Sequence, residues 1–279
     1  MNILVIGGTG FVGKYLVKEL IRNKYNIRCL VINKKLEPIK NTEFVYGDIR
    51  NKDSLKKAVE NIDVIIHLAS IINPKDPNIY NVNVNGSKNL IKVCDKQKII
   101  YISSAAVKNK FLDNYGKTKL EAENLFLNSN LKTIVLRPGM IYAKDSPGFN
   151  HILRYTNMFP FIPIVGNGKY NISLVYINDV IKTIINIIKK DIFNNKAYDL
   201  TGEKISFNNL VSLISKKPNI HIPIFICKII AFLTSILKHP PLTQENIKST
   251  VYPSETDNSQ AIKDLDFNPI NLEKGLAFK

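Results

Sequence analysis

The chain has 279 residues, 45% of them hydrophobic and 22% charged, a globular composition that excludes a disordered chain. Its net charge of +16 comes from lysines scattered along the whole length, with no basic block and no aromatic-basic motif, so nucleic acid is set aside as a partner. Cys29, Cys94 and Cys227 stand far apart without a Cys-x-x-Cys, and the histidines (His67, His151, His221, His239) show no ligand spacing, which argues against a disulfide framework and a metal site.

The length suits one domain with an appended lobe. The N-terminus enters a strand at once without a charged leader, so the expected compartment is the reducing cytoplasm. Residues 3–6 read as a buried strand, and from Phe11 to Ile21 apolar residues recur at helical spacing. Further strands are expected at 26–32 (NIRCLVI), 43–49 (EFVYGDI), 62–70, 98–104 (KIIYISS) and 132–139 (KTIVLRPG). Helical patterns fall between them at 54–60, 84–94 and 115–128. Strands alternating with helices predict an α/β fold, a doubly wound parallel Rossmann sheet whose ligands sit beyond the carboxyl ends of its strands.

From Met140 the pattern loosens. FPFIPIVGNG (159–168) reads as an irregular segment, followed by a strand over ISLVYI (172–177) and a helix from Asp179. The expected organisation is therefore a dinucleotide-binding domain over 1–142 and a smaller substrate lobe over 143–279, interleaved with the main sheet.

The turn between the first strand and helix contains Gly8-x-Gly10-x-x-Gly13, preceded by Gly7. Glycines there permit a tight turn, close approach of backbone to a pyrophosphate, and tight packing of helix on strand. Which dinucleotide binds depends on the end of the second strand. There is no acid at Val31 or Ile32, and Asn33, Lys34 and Lys35 follow, which favours the phosphate of NADP over NAD. Asp48, with Ile49, is placed after the third strand either to contact adenine or to cap the next helix.

In DNYGKTKLEAE, Tyr115 and Lys119 stand four apart at a helix start and so share one face. A nearby ammonium lowers a phenol's pKa and would let Tyr115 exchange a proton with a carbonyl or alcohol, while Lys119 also holds the nicotinamide ribose.

With GGTGFVG, YISSAAV, YGKTK and LRPGMIY in this order, nearly the whole chain resembles the extended and atypical short-chain dehydrogenase/reductases, the NAD(P)-dependent epimerase/dehydratase-like superfamily. The resemblance implies Tyr115 as acid/base, Lys119 as its electrostatic partner, Ser104 as the hydroxyl that orients the substrate oxygen, and Asn83 as support for the proton relay. It implies a cofactor site of Gly7, Gly10, Phe11, Val12 and Gly13, then Asn33, Lys34, Lys35, Asp48 and Ile49, then Leu68, Ala69 and Ser70, with Pro138 after the sixth strand; Ala69 lines the nicotinamide side. FPFIPIVGNGKYNISLVYINDV and YDLTGEKISF look like the branch that includes the NADPH-binding accessory subunit of respiratory complex I.

Two departures from the family pattern weigh against nucleotide sugars. Ser104 and Tyr115 are joined by a short connection, and Ile172 occupies the place of an arginine that would clamp a sugar nucleotide's pyrophosphate. STVYPSETDNSQAIKDLDFNP (249–269) lacks the second such arginine.

Residues 220–239, IHIPIFICKIIAFLTSILKH, are nearly apolar all round. Pro223 and Lys228 interrupt a stretch already marginal for a membrane span. Three readings stay open: a helix that roofs the cleft, a subunit contact of a homodimer, or a helix on a membrane surface. If the segment lines the cleft, the small-molecule substrate is apolar. His67 reads as packed, and Arg137 as an anchor for the loop after the sixth strand or a group facing substrate.

The sequence thus points to an NADP-favouring oxidoreductase with a Ser-Tyr-Lys site. The alternatives are a nucleotide-sugar epimerase or dehydratase, and a non-catalytic NADPH-binding assembly subunit.

Overall fold

A computed structural model describes residues 1–236, 242–244, 247–248 and 254–278. Seven parallel strands form the main sheet: β1 (Asn2–Ile6), β2 (Asn26–Val31), β3 (Glu43–Tyr46), β4 (Val64–His67), β5 (Lys98–Ile102), β6 (Thr133–Pro138) and, from much later in the chain, β10 (Lys196–Leu200). Their order is β10-β6-β5-β4-β1-β2-β3. The Ile- and Val-rich strands are covered on both faces, as parallel sheets require.

On one face α1 (Phe11–Arg22) and α6 (Ile177–Lys190) bury Leu16, Val17 and Leu20, and Ile181, Ile184 and Ile188, against Val5, Ile66 and Ile134. On the other, α2 (Lys52–Val59), α3 (Gly86–Val93) and α4 (Asn114–Leu127) bury Leu55, Leu90 and Phe126 against Leu4, Ile65 and Val135. The order of connection reverses between β1 and β4, so the crevice of this sheet opens beyond the carboxyl ends of those two strands.

The second half builds two small sheets. One joins β7 (Met140–Tyr142), β9 (Asn171–Tyr176) and β11 (Lys204–Ser206); the other pairs β8 (Ile162–Val165) with β12 (Asn219–Ile222). With them go α5 (Pro147–Asn157), α7 (Phe207–Ile214) and α8 (Ile224–Leu233).

Two expectations are corrected here. The segment 159–168 is not wholly irregular, because Ile162 and Ile164 are fully buried and pair with a parallel partner. Nor is 220–239 one helix. Pro223 supplies no N–H and a fixed φ, so α8 begins after it and Asn219–Ile222 is left to pair with β8. Leu237, Lys238 and His239 lie outside the described residues, as does part of the 249–269 stretch.

His67, at the end of β4, is buried beside the rings of Tyr101 and Phe126 at 5.4 and 5.9 Å. Its Nε2 lies 3.5 Å from Ser87 Oγ, and its Nδ1 has no hydrogen-bond partner among the described residues. Burial, with Lys119 nearby, pushes the imidazole down to about 3. The unfolded chain therefore binds a proton between about pH 6.5 and 3 that the folded chain refuses. In that window stability should fall with falling pH by up to about 1.4 kcal/mol per unit. Urea unfolding at pH 7, 5.5 and 4.5 should show a shallower slope for His67→Gln.

Candidate active site

The glycine turn follows β1 directly. Gly7 has φ +91°, a conformation that side chains resist, and Gly10 N–H donates to Gly7 O at 3.1 Å. A Cβ on Gly13 would stand 2.2 Å from Gly7 O, so α1 packs its own backbone onto the turn. No side chain caps the start of α1 and its first turn holds no acid. The amide end of the helix dipole is thus left for an anion, and this turn fits the pyrophosphate of a dinucleotide, with Phe11 and Val12 opening the helix.

The turn sits against the loop after β4. Leu68 and Ala69 N–H groups both donate to Ile6 O, at 2.8 and 3.0 Å, and a Cβ on Gly7 would meet Ala69 N at 2.8 Å. Pro138 closes β6 in register with Leu200.

At the end of β2, Ile32, Asn33, Lys34 and Lys35 are all exposed, and Asn33 Oδ1 accepts from Lys35 N–H at 2.9 Å. Asp48 is not a helix cap, because Asn51 caps α2 by accepting from Asp53 and Ser54 N–H. Instead Arg50 grips Asp48, Nη2 donating to Oδ2 at 2.6 Å, and this holds the carboxyl below its usual range. Ile49 is buried beneath Gly86, where a Cβ would meet it at 2.8 Å.

Ser104 lies just past β5, and its Oγ accepts from Ala106 N–H at 3.2 Å to start a 3-10 turn over Ala105–Lys108. Asp113 caps α4 by accepting from Gly116 N–H at 2.8 Å, which sets Tyr115 in the first turn. The phenol is half-buried and neighbours the Ser104 hydroxyl, which lowers its proton affinity. One helical turn on, Lys119 is 2% exposed, with Nζ donating to Ile102 O at 2.5 Å and lying 4.3 Å from the Tyr101 ring centre.

The proton affinities depart from expectation. Burial raises the Tyr115 phenol, Asp113 adds to the rise and the Ser104 hydroxyl opposes it, so the phenol is not lowered. The Lys119 ammonium is turned to the Ile102 carbonyl and is itself depressed by burial to about 7, with Glu123 opposing.

Asn83 lies in a π turn over Asn81–Asn85. Its Oδ1 accepts from Ile71 N–H at 2.8 Å and Ser70 Oγ at 3.3 Å; its Nδ2 donates to Ile71 O and Thr118 Oγ1 at 3.0 and 3.1 Å. Thr118 Oγ1 in turn donates to Tyr115 O at 3.0 Å. The amide of Asn83 is thus fully engaged. It clamps the loop after β4 to α4 and has no direct contact with the phenol or ammonium in these bonds.

Sequence reasoning missed a buried ion network behind these groups. Arg137 Nε donates to both oxygens of Glu123 at 3.1 Å, and its Nη1 lies 3.5 Å from Asp199 Oδ1. Lys108 Nζ meets Asp199 Oδ2 at 2.7 Å, and Asp257 N–H donates to the same oxygen at 2.9 Å. Glu123 four residues after Lys119 was the available signal. Arg137 is engaged here, within β6, and Ile172 of β9 lies opposite Ile205 and packs with Leu174 and Leu210.

The family model for the 3-beta hydroxysteroid dehydrogenase/isomerase family matches residues 4–110. The chain is 28% identical over 273 residues to the sterol-4-alpha-carboxylate 3-dehydrogenase, decarboxylating, of Mus musculus, covering 84% of this chain and 74% of that protein. It is 40% identical over 148 residues to an uncharacterized membrane protein of Methanocaldococcus jannaschii, covering 47% and 44%. Its fold matches the crystal structure of UDP-glucuronic acid 4-epimerase from Bacillus cereus in complex with UDP-glucuronic acid and NAD, with TM-score 0.76, 23% identity and coverage of 99% and 97%.

Because the Gly13 position has no room for a methyl group, Gly13→Ala should weaken dinucleotide binding more than tenfold and lower Tm. Nicotinamide fluorescence titration and thermal unfolding measure the two effects.

Proposed function

Because this chain belongs to the extended short-chain dehydrogenase/reductase superfamily, we propose that it is an NADP-favouring oxidoreductase acting on the carbonyl or alcohol of a small apolar molecule. The observation that carries this reading is the Tyr115 phenol and the neighbouring Ser104 hydroxyl on the rim that also bears the glycine turn, with Lys119 one turn behind. A bound nicotinamide dinucleotide supplies or accepts the hydride.

The chain's own residues position the substrate and move the proton. The Ser104 hydroxyl orients the substrate oxygen, and the Tyr115 hydroxyl gives it a proton on reduction or takes one on oxidation. A phenol raised by burial is held in the form that donates. In this reading Lys119 turns from the Ile102 carbonyl to hold the nicotinamide ribose, and Asn83 fixes the distance between the β4 loop and α4.

In this reading residues 1–142 bind the cofactor, through Gly7, Gly10, Phe11, Val12 and Gly13, the Asn33–Lys35 turn, Asp48 and Ile49, Leu68 to Ser70, and Pro138. Residues 143–279 cover the substrate. Hydrocarbon packing at Ile172 supports an apolar substrate over a sugar nucleotide, whose diphosphate would lack a cation there. The nearly apolar 220–239 segment supports work at a membrane surface.

Parallel titrations with NADPH and NADH test the cofactor assignment. NADPH should bind more tightly, and Lys34→Ala/Lys35→Ala should remove the difference; equal affinities in the parent protein would overturn the assignment to NADP. With a panel of apolar ketones and alcohols, Tyr115→Phe should lose roughly a hundred- to ten-thousandfold in nicotinamide turnover while NADPH affinity stays within about twofold. Undiminished turnover would remove Tyr115 from the chemistry.

A further inference from the structure

The outer face of α8 is apolar and open. Phe225, Ile229, Phe232 and Leu233 are 64%, 53%, 73% and 66% exposed, and Ile236 just beyond is 90% exposed. Their spacing places them on one stripe of a helix. The inner face is already satisfied, with Cys227 and Ala231 packed on Ile247, Val165 and Ile222. A helix that is apolar on both sides, with one side packed and the other bare, needs a second apolar medium.

The surrounding charge says which medium. Between Glu203 and Glu245 the sequence has no acidic residue, while Lys204, Lys216, Lys217, Lys228 and Lys238 all fall within it. Lys217 is occupied, donating to the Thr156 and Phe159 carbonyls, but Lys228 is exposed on α8 itself, between the turns of Phe225 and Phe232. A protein partner could meet the apolar stripe alone. An anionic bilayer meets both the stripe and the excess of lysines. At 10 residues α8 is about 15 Å long, and no helix among the described residues is long and apolar enough to cross a membrane.

We propose that α8 lies in the surface of an anionic lipid bilayer, with Phe225, Ile229, Phe232 and Leu233 among the acyl chains and Lys228 at the headgroup phosphates. The helix is coupled to the active-site rim. Ile247 seals its inner face, and the next residue, Lys248, places Nζ 5.8 Å over the ring of Phe111, in the loop between Ser104 and Tyr115. Resting on the function proposed above, this geometry makes the bilayer the reservoir from which an apolar alcohol or ketone reaches that rim.

The test is co-sedimentation of the full chain with vesicles of phosphatidylcholine alone and of phosphatidylcholine with phosphatidylglycerol, with NADPH titration of the same preparations. The chain should pellet preferentially with the anionic vesicles. Phe225→Ser/Phe232→Ser should weaken this at least tenfold and Lys228→Glu several-fold, with Tm and NADPH affinity unchanged, since all three side chains are exposed. Absence of binding to anionic vesicles, or binding indifferent to the double substitution, would overturn the proposal. So would a concentration-dependent dimer that the double substitution dissociates, because a second copy would then cover the stripe. Vesicle binding without NADPH binding would uphold the lipid surface and overturn the oxidoreductase reading.

Discussion

The guanidinium of Arg137, held between the carboxylates of Glu123 and Asp199, is the interaction on which the rest of the rim depends. Both carboxylates are buried, and a buried charge is tolerated only when it is paired. Pairing them fastens four segments together. Glu123 belongs to the helix of Tyr115 and Lys119, Arg137 to β6, and Asp199 to β10, while Lys108 closes the turn that begins at Ser104. The hydroxyl of Ser104 and the phenol of Tyr115 are therefore held in register by charges that lie behind them. Removing one partner would leave an uncompensated ion inside the fold, a change costing several kcal/mol in comparable buried pairs.

The same network bears on the chemistry. Burial drives the two protonic groups apart in affinity, the phenol upward and the Lys119 ammonium down to about 7, while Glu123 pulls the ammonium back up. The Lys119 charge is thus set by a balance between desolvation and a carboxylate one helical turn away. Asn83 contributes differently, through geometry alone, because both ends of its amide are committed to backbone and to neighbouring hydroxyls.

Much of this was legible in the sequence because its signals are local. Continuous Ile and Val runs marked the buried parallel strands, and the spacing of Gly8, Gly10 and Gly13 marked the turn after β1. Tyr115 and Lys119 were readable from helical periodicity. What escaped depends on contacts between distant residues. Lys108 and Asp199 are 91 positions apart, and nothing near either one announces the other. The pairing of β8 with β12 joins IPIV and NIHI, runs of only four residues, the first interrupted by a proline, that stand more than fifty positions apart. The direction of the phenol's shift was misread because charge spacing is visible in a sequence and desolvation is not. Pro223 could have signalled the break between β12 and α8, but the apolar run on both sides of it masked the change of structure.

The late arrival of β10 has a consequence for how the protein is made. Thr133 N–H donates to Asn195 Oδ1, 62 residues further along, and β10 then adds to the edge of β6. During synthesis from the N-terminus, β6 must wait with one edge bare, and Arg137 and Glu123 must wait without Asp199, until that stretch has left the ribosome. A ribosome stalled before residue 196 would thus present a Rossmann sheet complete through six strands, with α4 formed and its last edge open to whatever strand came first.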